Sequence, residues 1–313
     1  MSKEINSKIL IIGGEGFIGS SLILALQDKY KILCLDRGKK YSDLKKFVND
    51  NVELIKGDIT DEVLLDNLCK DCYAIIHLAG GGGNSACAKD PIWAINTHIL
   101  GTHSVLKKAL EHKVKKFIFS SSQFVYTTFH KTDFLLKENM LPEPDDFYGT
   151  LKRIAENLII DSGINYSILR LANVYGVSKL YPAQERGAIN NFVNSAFNKE
   201  KLQIYGSGSQ VMDYVYLKDV VRAFISVLEK ENTKDIYNVG SGELIRLEEI
   251  TKIVHSIFKD KFKQETEIEK ISVDSDEIWP DRLMSIEKIR KDLSWEPEIS
   301  LKQGLGKMIN SRA

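Results

Sequence analysis

The segment ILIIGGEGFIGSSLILAL, residues 9–26, constrains the fold more than any other stretch of the chain. An apolar run stops at paired glycines, and an apolar helical pattern starts immediately after them. Gly14-x-Gly16-x-x-Gly19 satisfies G-x-G-x-x-G, and Gly13, Gly16 and Gly19 also give G-x-x-G-x-x-G. Such spacing suits a tight strand-to-helix turn whose backbone can approach a pyrophosphate and whose helix packs close to the strand. The free N–H groups at the helix start then face the phosphates. Asp36 ends the next apolar run, where an acid would hold a ribose 2′-hydroxyl. Strand, turn, helix and acid together predict a bound dinucleotide. A carboxylate at Asp36 repels a 2′-phosphate and favours NAD, while the adjacent Arg37 keeps NADP as the second choice. Asp58, in KGDITD, is placed either to reach the adenine or to cap the following helix.

The rest of the first half repeats this rhythm. KILIIGG (8–14), KILCLD (31–36), VELIKGD (52–58), AIIHLAG (74–80), KKFIFSS (115–121) and YSILRLA (166–172) read as short buried strands. They are nearly continuous in apolar character, as expected of a parallel sheet covered on both faces. Helical patterns lie between them, clearest over 91–113, where Pro91 can open the helix. The predicted fold class is α/β, a doubly wound parallel sheet with a smaller α/β C-terminal lobe. The division is expected near residue 176, giving lobes of 1–176 and 177–313, with segments near 214–240 returning to the first.

Lysine plus arginine and aspartate plus glutamate are both 43, a formal charge of zero. That removes the electrostatic footprint of a nucleic-acid binder. The N-terminal apolar run is too short for a signal peptide, and no stretch approaches the ~18 to 20 apolar residues of a membrane span. A cytoplasmic protein is expected. Cys69-x-x-Cys72 has no second pair of ligands and runs into a strand pattern, so Cys34, Cys69, Cys72 and Cys87 read as reduced thiols, with no metal site.

In DDFYGTLKRIAENLI (145–159), Asp145 or Asp146 can cap a helix that carries Tyr148 and Lys152 on one face. A lysine ammonium beside a phenol favours the phenolate. Such a tyrosine can take a proton from a substrate hydroxyl while hydride leaves the same carbon for a dinucleotide. FSSSQFVY (119–126) falls at the C-terminal end of the fifth strand, on the ligand-binding edge of an open α/β sheet. Ser122 is the residue expected to orient the substrate oxygen.

These motifs resemble the extended short-chain dehydrogenase/reductase superfamily, in its nucleotide-sugar epimerase/dehydratase branch. The likeness runs through GGEGFIGS, HLAG, SSSQFVY, YGTLK, LRLANVYG, LQIYGSGSQVMDYVYLKDVVRA, IYNVGSG and LSWEPEISLKQGL, nearly the whole chain. It implies a Rossmann domain holding NAD(P) and a C-terminal domain gripping a nucleoside-diphosphate sugar. Ser122, Tyr148 and Lys152 are the implied catalytic triad. Gly13, Gly16, Phe17, Ile18, Gly19, Asp36, Arg37, Asp58, Ile59, Leu78, Ala79 and Gly80 are the implied cofactor contacts, with Tyr148 and Lys152. Asn173 is the implied contact to the substrate phosphates. Homodimers built on helices corresponding to 91–112 and 146–162 are implied as well.

The branch contains epimerases, dehydratases, decarboxylases and ketoreductases. The resemblance places an Asp-Glu pair after the serine or threonine of dehydratases and a carboxylate nearby in decarboxylases. Here Gln123 and Phe124 stand in those places, and neither is an acid or a base. The expected reaction is therefore epimerisation at C4 of a nucleoside-diphosphate hexose. The alternatives are a one-way C4 dehydrogenase or ketoreductase and a catalytically silent dinucleotide-binding protein. Three positions depart from the pattern. Met212 and Trp279 stand where arginines usually clamp the diphosphate, with Arg282 or Arg186 as replacements. His98 stands where an asparagine is usual, either as a packed structural ring or as an added acid/base group.

Overall fold

The structure, a computed structural model, describes residues 7–126, 135–181, 187–231, 233–272 and 281–313. Its main sheet uses β1 (Lys8–Ile12), β2 (Lys31–Asp36), β3 (Val52–Lys56), β4 (Cys72–His77), β5 (Lys116–Ser122), β7 (Tyr166–Leu171) and β11 (Asp235–Val239). Their order is β11-β7-β5-β4-β1-β2-β3 and every pairing is parallel. Among the described residues, three two-stranded pairs complete the strands. They are β6 (Leu135–Leu136) with β13 (Leu283–Met284), β8 (Asn173–Tyr175) with β10 (Tyr214–Tyr216), and β9 (Leu202–Tyr205) with β12 (Ile268–Ile271).

The continuous apolar strands follow from burial on both faces. Ile9 and Ile11 of β1 join a core with Leu22, Ile23, Phe224 and Val227. Leu10 and Ile12 join the opposite core with Leu65, Val105, Leu106 and Ile159. Alternate side chains thus enter different cores, so no polar face is left to alternate. A third core lies in the C-terminal half, around Phe192, Val193, Ile250, Val254, Phe258 and Leu305.

Several boundaries differ from the sequence expectation. β1 stops at Ile12 rather than residue 14, because Gly13 at φ +83° already begins the turn. β3 and β4 likewise end at Lys56 and His77. The helix expected over 91–113 runs from Pro91–Ile95 through a π-helical stretch, Asn96–Gly101, into Thr102–Glu111. The helix carrying Tyr148 spans Phe147–Asp161, with Asp146 accepting from Gly149 N at 2.7 Å as its cap. Among the described residues, no helix is long and apolar enough to cross a membrane. The four cysteines are free and buried, and burial pushes the thiols of Cys69 and Cys72 up to about 12 and about 11.

Candidate active site

The strand order reverses between β1 and β4, and at their C-terminal ends opens a cavity of about 1530 Å³. Its floor is the glycine turn. A Cβ on Gly13 would lie 2.7 Å from Ala79 N, and one on Gly19 2.4 Å from Gly13 O. Any side chain there would push the strand ends and the helix apart, so the glycines set how closely the Phe17–Leu26 helix approaches β1. No side chain caps that helix at Gly16, so its first N–H groups stay open to a ligand. The turn therefore fits a dinucleotide pyrophosphate.

Asp36 accepts from Glu15 N at 3.0 Å and from Arg37 N at 2.7 Å, which fixes its carboxylate at the cavity edge. The cavity wall also includes Gly13, Gly16, Phe17, Ile18, Gly19, Arg37, Asp58, Ile59, Leu78, Ala79 and Gly80. Asp58 does not cap the next helix. It accepts from the backbone N and hydroxyl of Thr60, which hold its carboxyl below the usual range, and the cap is Asp61, accepting from Leu64 N at 3.0 Å. Arg37 turns its guanidinium over the Trp93 ring, 5.4 Å from the centroid.

Ser122 and Tyr148 both face this cavity, with the serine hydroxyl placed to favour the phenolate. Lys152 is buried beneath them. Its Nζ donates to Ser120 O at 2.8 Å and lies 5.9 Å from the Tyr148 ring centroid. Burial draws the lysine down to about 8. Burial opposes the lowering expected of Lys152. Tyr148 is enclosed, and desolvation, the largest influence, raises it above the ordinary tyrosine value.

His98 is buried at 1% exposure, and burial drives it down to about 2, so it stays neutral at working pH. Its ring meets Gly80 and stands edge-on to Tyr148 at 5.8 Å. Of its two sequence readings, the packed structural ring is the one this enclosure fits. Gln123 is fully buried, and neither amide atom finds a partner among the described residues. Phe124 lies at the wall with its ring 6.0 Å from that of Tyr148.

Arg282 is 3% exposed and does not reach the cavity wall. Its guanidinium rests over Phe124 at 4.7 Å, Nη2 lies 3.9 Å from Asp145, and Nε and Nη1 have no partner among the described residues. It is the parallel bridge partner of Met212, which packs against the third core. Asn173 lines the cavity and donates from Nδ2 to Asp213 O at 3.1 Å. Trp279 and Arg186 lie outside the described residues.

The sequence reading missed the support behind this site. Arg170 grips Glu156 through two bonds, Nε to Oε1 at 2.9 Å and Nη2 to Oε2 at 2.7 Å. Ser121 donates to the same carboxylate, and Arg170 Nη1 donates to Tyr126, which donates to Asn238. Glu156 sits one helical turn after Lys152. The available signal was Arg170 itself, a charge inside an otherwise apolar strand that had to have a buried partner.

A family model described as "NAD dependent epimerase/dehydratase family" matches residues 9–240. The chain is 30% identical over 316 residues to the Methanocaldococcus jannaschii protein named "Putative UDP-glucose 4-epimerase", covering 96% of this chain and 97% of that one. It is 27% identical to UDP-glucuronic acid decarboxylase 1 of Arabidopsis thaliana, covering 97% and 69%. Among solved structures, the UDP-glucose 4-epimerase of Thermotoga maritima, determined with UDP-glucose, superposes with a TM-score of 0.84 at 29% identity, covering 97% of this chain and 98% of that chain. With the glycine turn, Asp36 and the Ser-Tyr-Lys group at one cavity, these matches establish that the chain belongs to the NAD-dependent epimerase/dehydratase family.

Proposed function

We propose that the protein is an NAD-dependent nucleotide-sugar epimerase acting at C4 of a nucleoside-diphosphate hexose. The observation carrying this reading is the pair of residues after Ser122. Gln123 is buried and Phe124 is aromatic, so neither position offers the acid or base that dehydration or decarboxylation would draw on. What remains at the wall is Ser122 and Tyr148, with Lys152 behind them, sufficient to orient a sugar hydroxyl and move its proton. When bound at the glycine turn, oxidised nicotinamide would take hydride from the sugar carbon and return it, adding positive charge beside Tyr148. Tyr148 passes the hydroxyl proton out and back, Ser122 holds the oxygen, and Lys152 supplies the fixed charge. The 4-keto sugar turns over between the two transfers.

The substrate phosphates are held in this reading by Asn173 and by Arg282. Two Arg282 donors have no partner among the described residues, at the bridge to Met212, and a shift of Phe124 would bring them to the cavity. Residues 177–313 form the substrate-holding lobe, with residues near 214–240 belonging to the first. The protein acts as a homodimer through the helices around 91–112 and 146–162, which expose Ile92, Ile95, Leu100 and Ile154.

NMR of the purified protein with UDP-, GDP-, CDP- and dTDP-sugars, without added cofactor, tests the function. A new anomeric signal from a C4 epimer is expected, and Tyr148→Phe should lose it. Product appearing only with added oxidised dinucleotide, with reduced dinucleotide accumulating in step, would replace epimerisation by one-way C4 oxidation. No product from the wild type under either condition would count against both.

A further inference from the structure

The acid at Asp36 is not alone at the ribose end of the cavity. Glu15, inside the glycine turn, is only 5% exposed although it lines the same cavity. Its Oε2 accepts from Lys40 N at 2.8 Å, its own N–H donates to Asp36 at 3.0 Å, and its carbonyl accepts from the Tyr181 hydroxyl at 2.7 Å. Lys40 N thus holds the Glu15 carboxylate, while Asp36 and Tyr181 hold its backbone. Arg37, Lys39 and Lys40 also line this cavity; the Arg37 guanidinium lies over the Trp93 ring and the Lys40 ammonium lies over the Tyr181 ring at 5.8 Å.

We propose that Glu15 is a second determinant of cofactor choice, acting with Asp36 to admit a free ribose 2′-hydroxyl and turn away a 2′-phosphate. This rests on the reading that a nicotinamide dinucleotide occupies the cavity. A 2′-phosphate carries about two negative charges near pH 7 and would meet two carboxylates in a setting screened less than open surface. Asp36 has each oxygen engaged by one backbone N–H and keeps further lone pairs for a hydroxyl. A hydroxyl, unlike a phosphate, can donate to a carboxylate such as Glu15 without charge repulsion. Burial and the neighbouring Asp36 charge both raise the Glu15 carboxyl, as expected of two acids facing one space.

The test is equilibrium binding of NADH and NADPH to the whole chain, followed by the fluorescence of bound reduced nicotinamide. Wild type, Glu15→Gln, Glu15→Ala and Asp36→Asn are compared at low and high salt. The glutamine keeps an acceptor for Lys40 N–H, whereas the alanine removes it. Wild type should prefer NADH. Both Glu15 variants should narrow that preference about tenfold, through tighter NADPH binding, with less effect at high salt. An unchanged ratio in Glu15→Gln, or equal weakening of both ligands, would overturn the proposal and leave Glu15 as a brace of the turn. Wild type preferring NADPH would overturn both this inference and the choice of NAD. Binding of neither ligand by wild type would overturn the cofactor reading itself, and this inference with it.

Discussion

Lys152 lies where burial and chemistry pull in opposite directions. Enclosure lowers it to about 8 from an ordinary 10.5, because the protein solvates the ammonium less well than water does. Between those two values the unfolded chain holds a proton that the folded chain has released. This group therefore makes stability rise as pH climbs from about 8 to 10.5, and its cost is fully present below about 8. Its function has the opposite slope, since the phenolate of Tyr148 needs the charge. The kcat/KM of the free enzyme should fall on the alkaline side through a limb near pH 8. A profile flat across that limb would remove the Lys152 charge from the reaction. The pairing of Tyr148 with Lys152 was legible from their spacing. The raised phenol was not, because desolvation depends on everything packed around the ring.

The strands and helices bring residues together that are distant in sequence, and one contact carries unusual weight. Glu156 of the Phe147–Asp161 helix and Arg170 of β7 are both buried, at 0% and 1% exposure. Truncating Glu156 to alanine would strand a guanidinium in the core and leave Ser121 without its acceptor. A loss of about 3–5 kcal/mol in denaturant unfolding is expected, whereas replacing both partners with apolar residues of similar volume should recover much of it. A loss below about 1 kcal/mol would show that the pair is compensated elsewhere. Lys116 shows a related arrangement on the other side of the sheet. Its buried ammonium donates to Val227 O at 2.7 Å and Leu228 O at 3.3 Å, neutralising the C-terminal end of the Leu217–Glu229 helix. The π-helical stretch Asn96–Gly101 had no local signature, since a helix of 91–113 fits its apolar pattern with or without the extra residue in the turn.

At the scale of the molecule, the helices beside the site show their apolar residues outward. Ile92 is 70% exposed and Leu100 52%, on the stretch that packs against the helix of Tyr148. If a second copy covers this face, Leu100→Asp should convert a dimer to a monomer in analytical ultracentrifugation without lowering the melting temperature of the isolated subunit. A wild-type chain that sediments as a monomer would end the dimer reading.

The sequence by itself determined the architecture of the parallel sheet, the glycine turn and Asp36, because these are local. A turn without room for Cβ must be written in glycine, and a strand buried on two faces must be apolar at successive positions. It also determined the family, and it offered the Ser122-Tyr148-Lys152 group as an expectation, each member lying in a short motif. Only the tertiary structure decided what surrounds them. It made His98 a neutral packed ring, set Arg282 against Phe124 beside Met212, and joined Glu156 to Arg170. Those outcomes follow from burial and from pairing across the sheet, and both depend on residues far apart in the chain that spacing alone does not bring together.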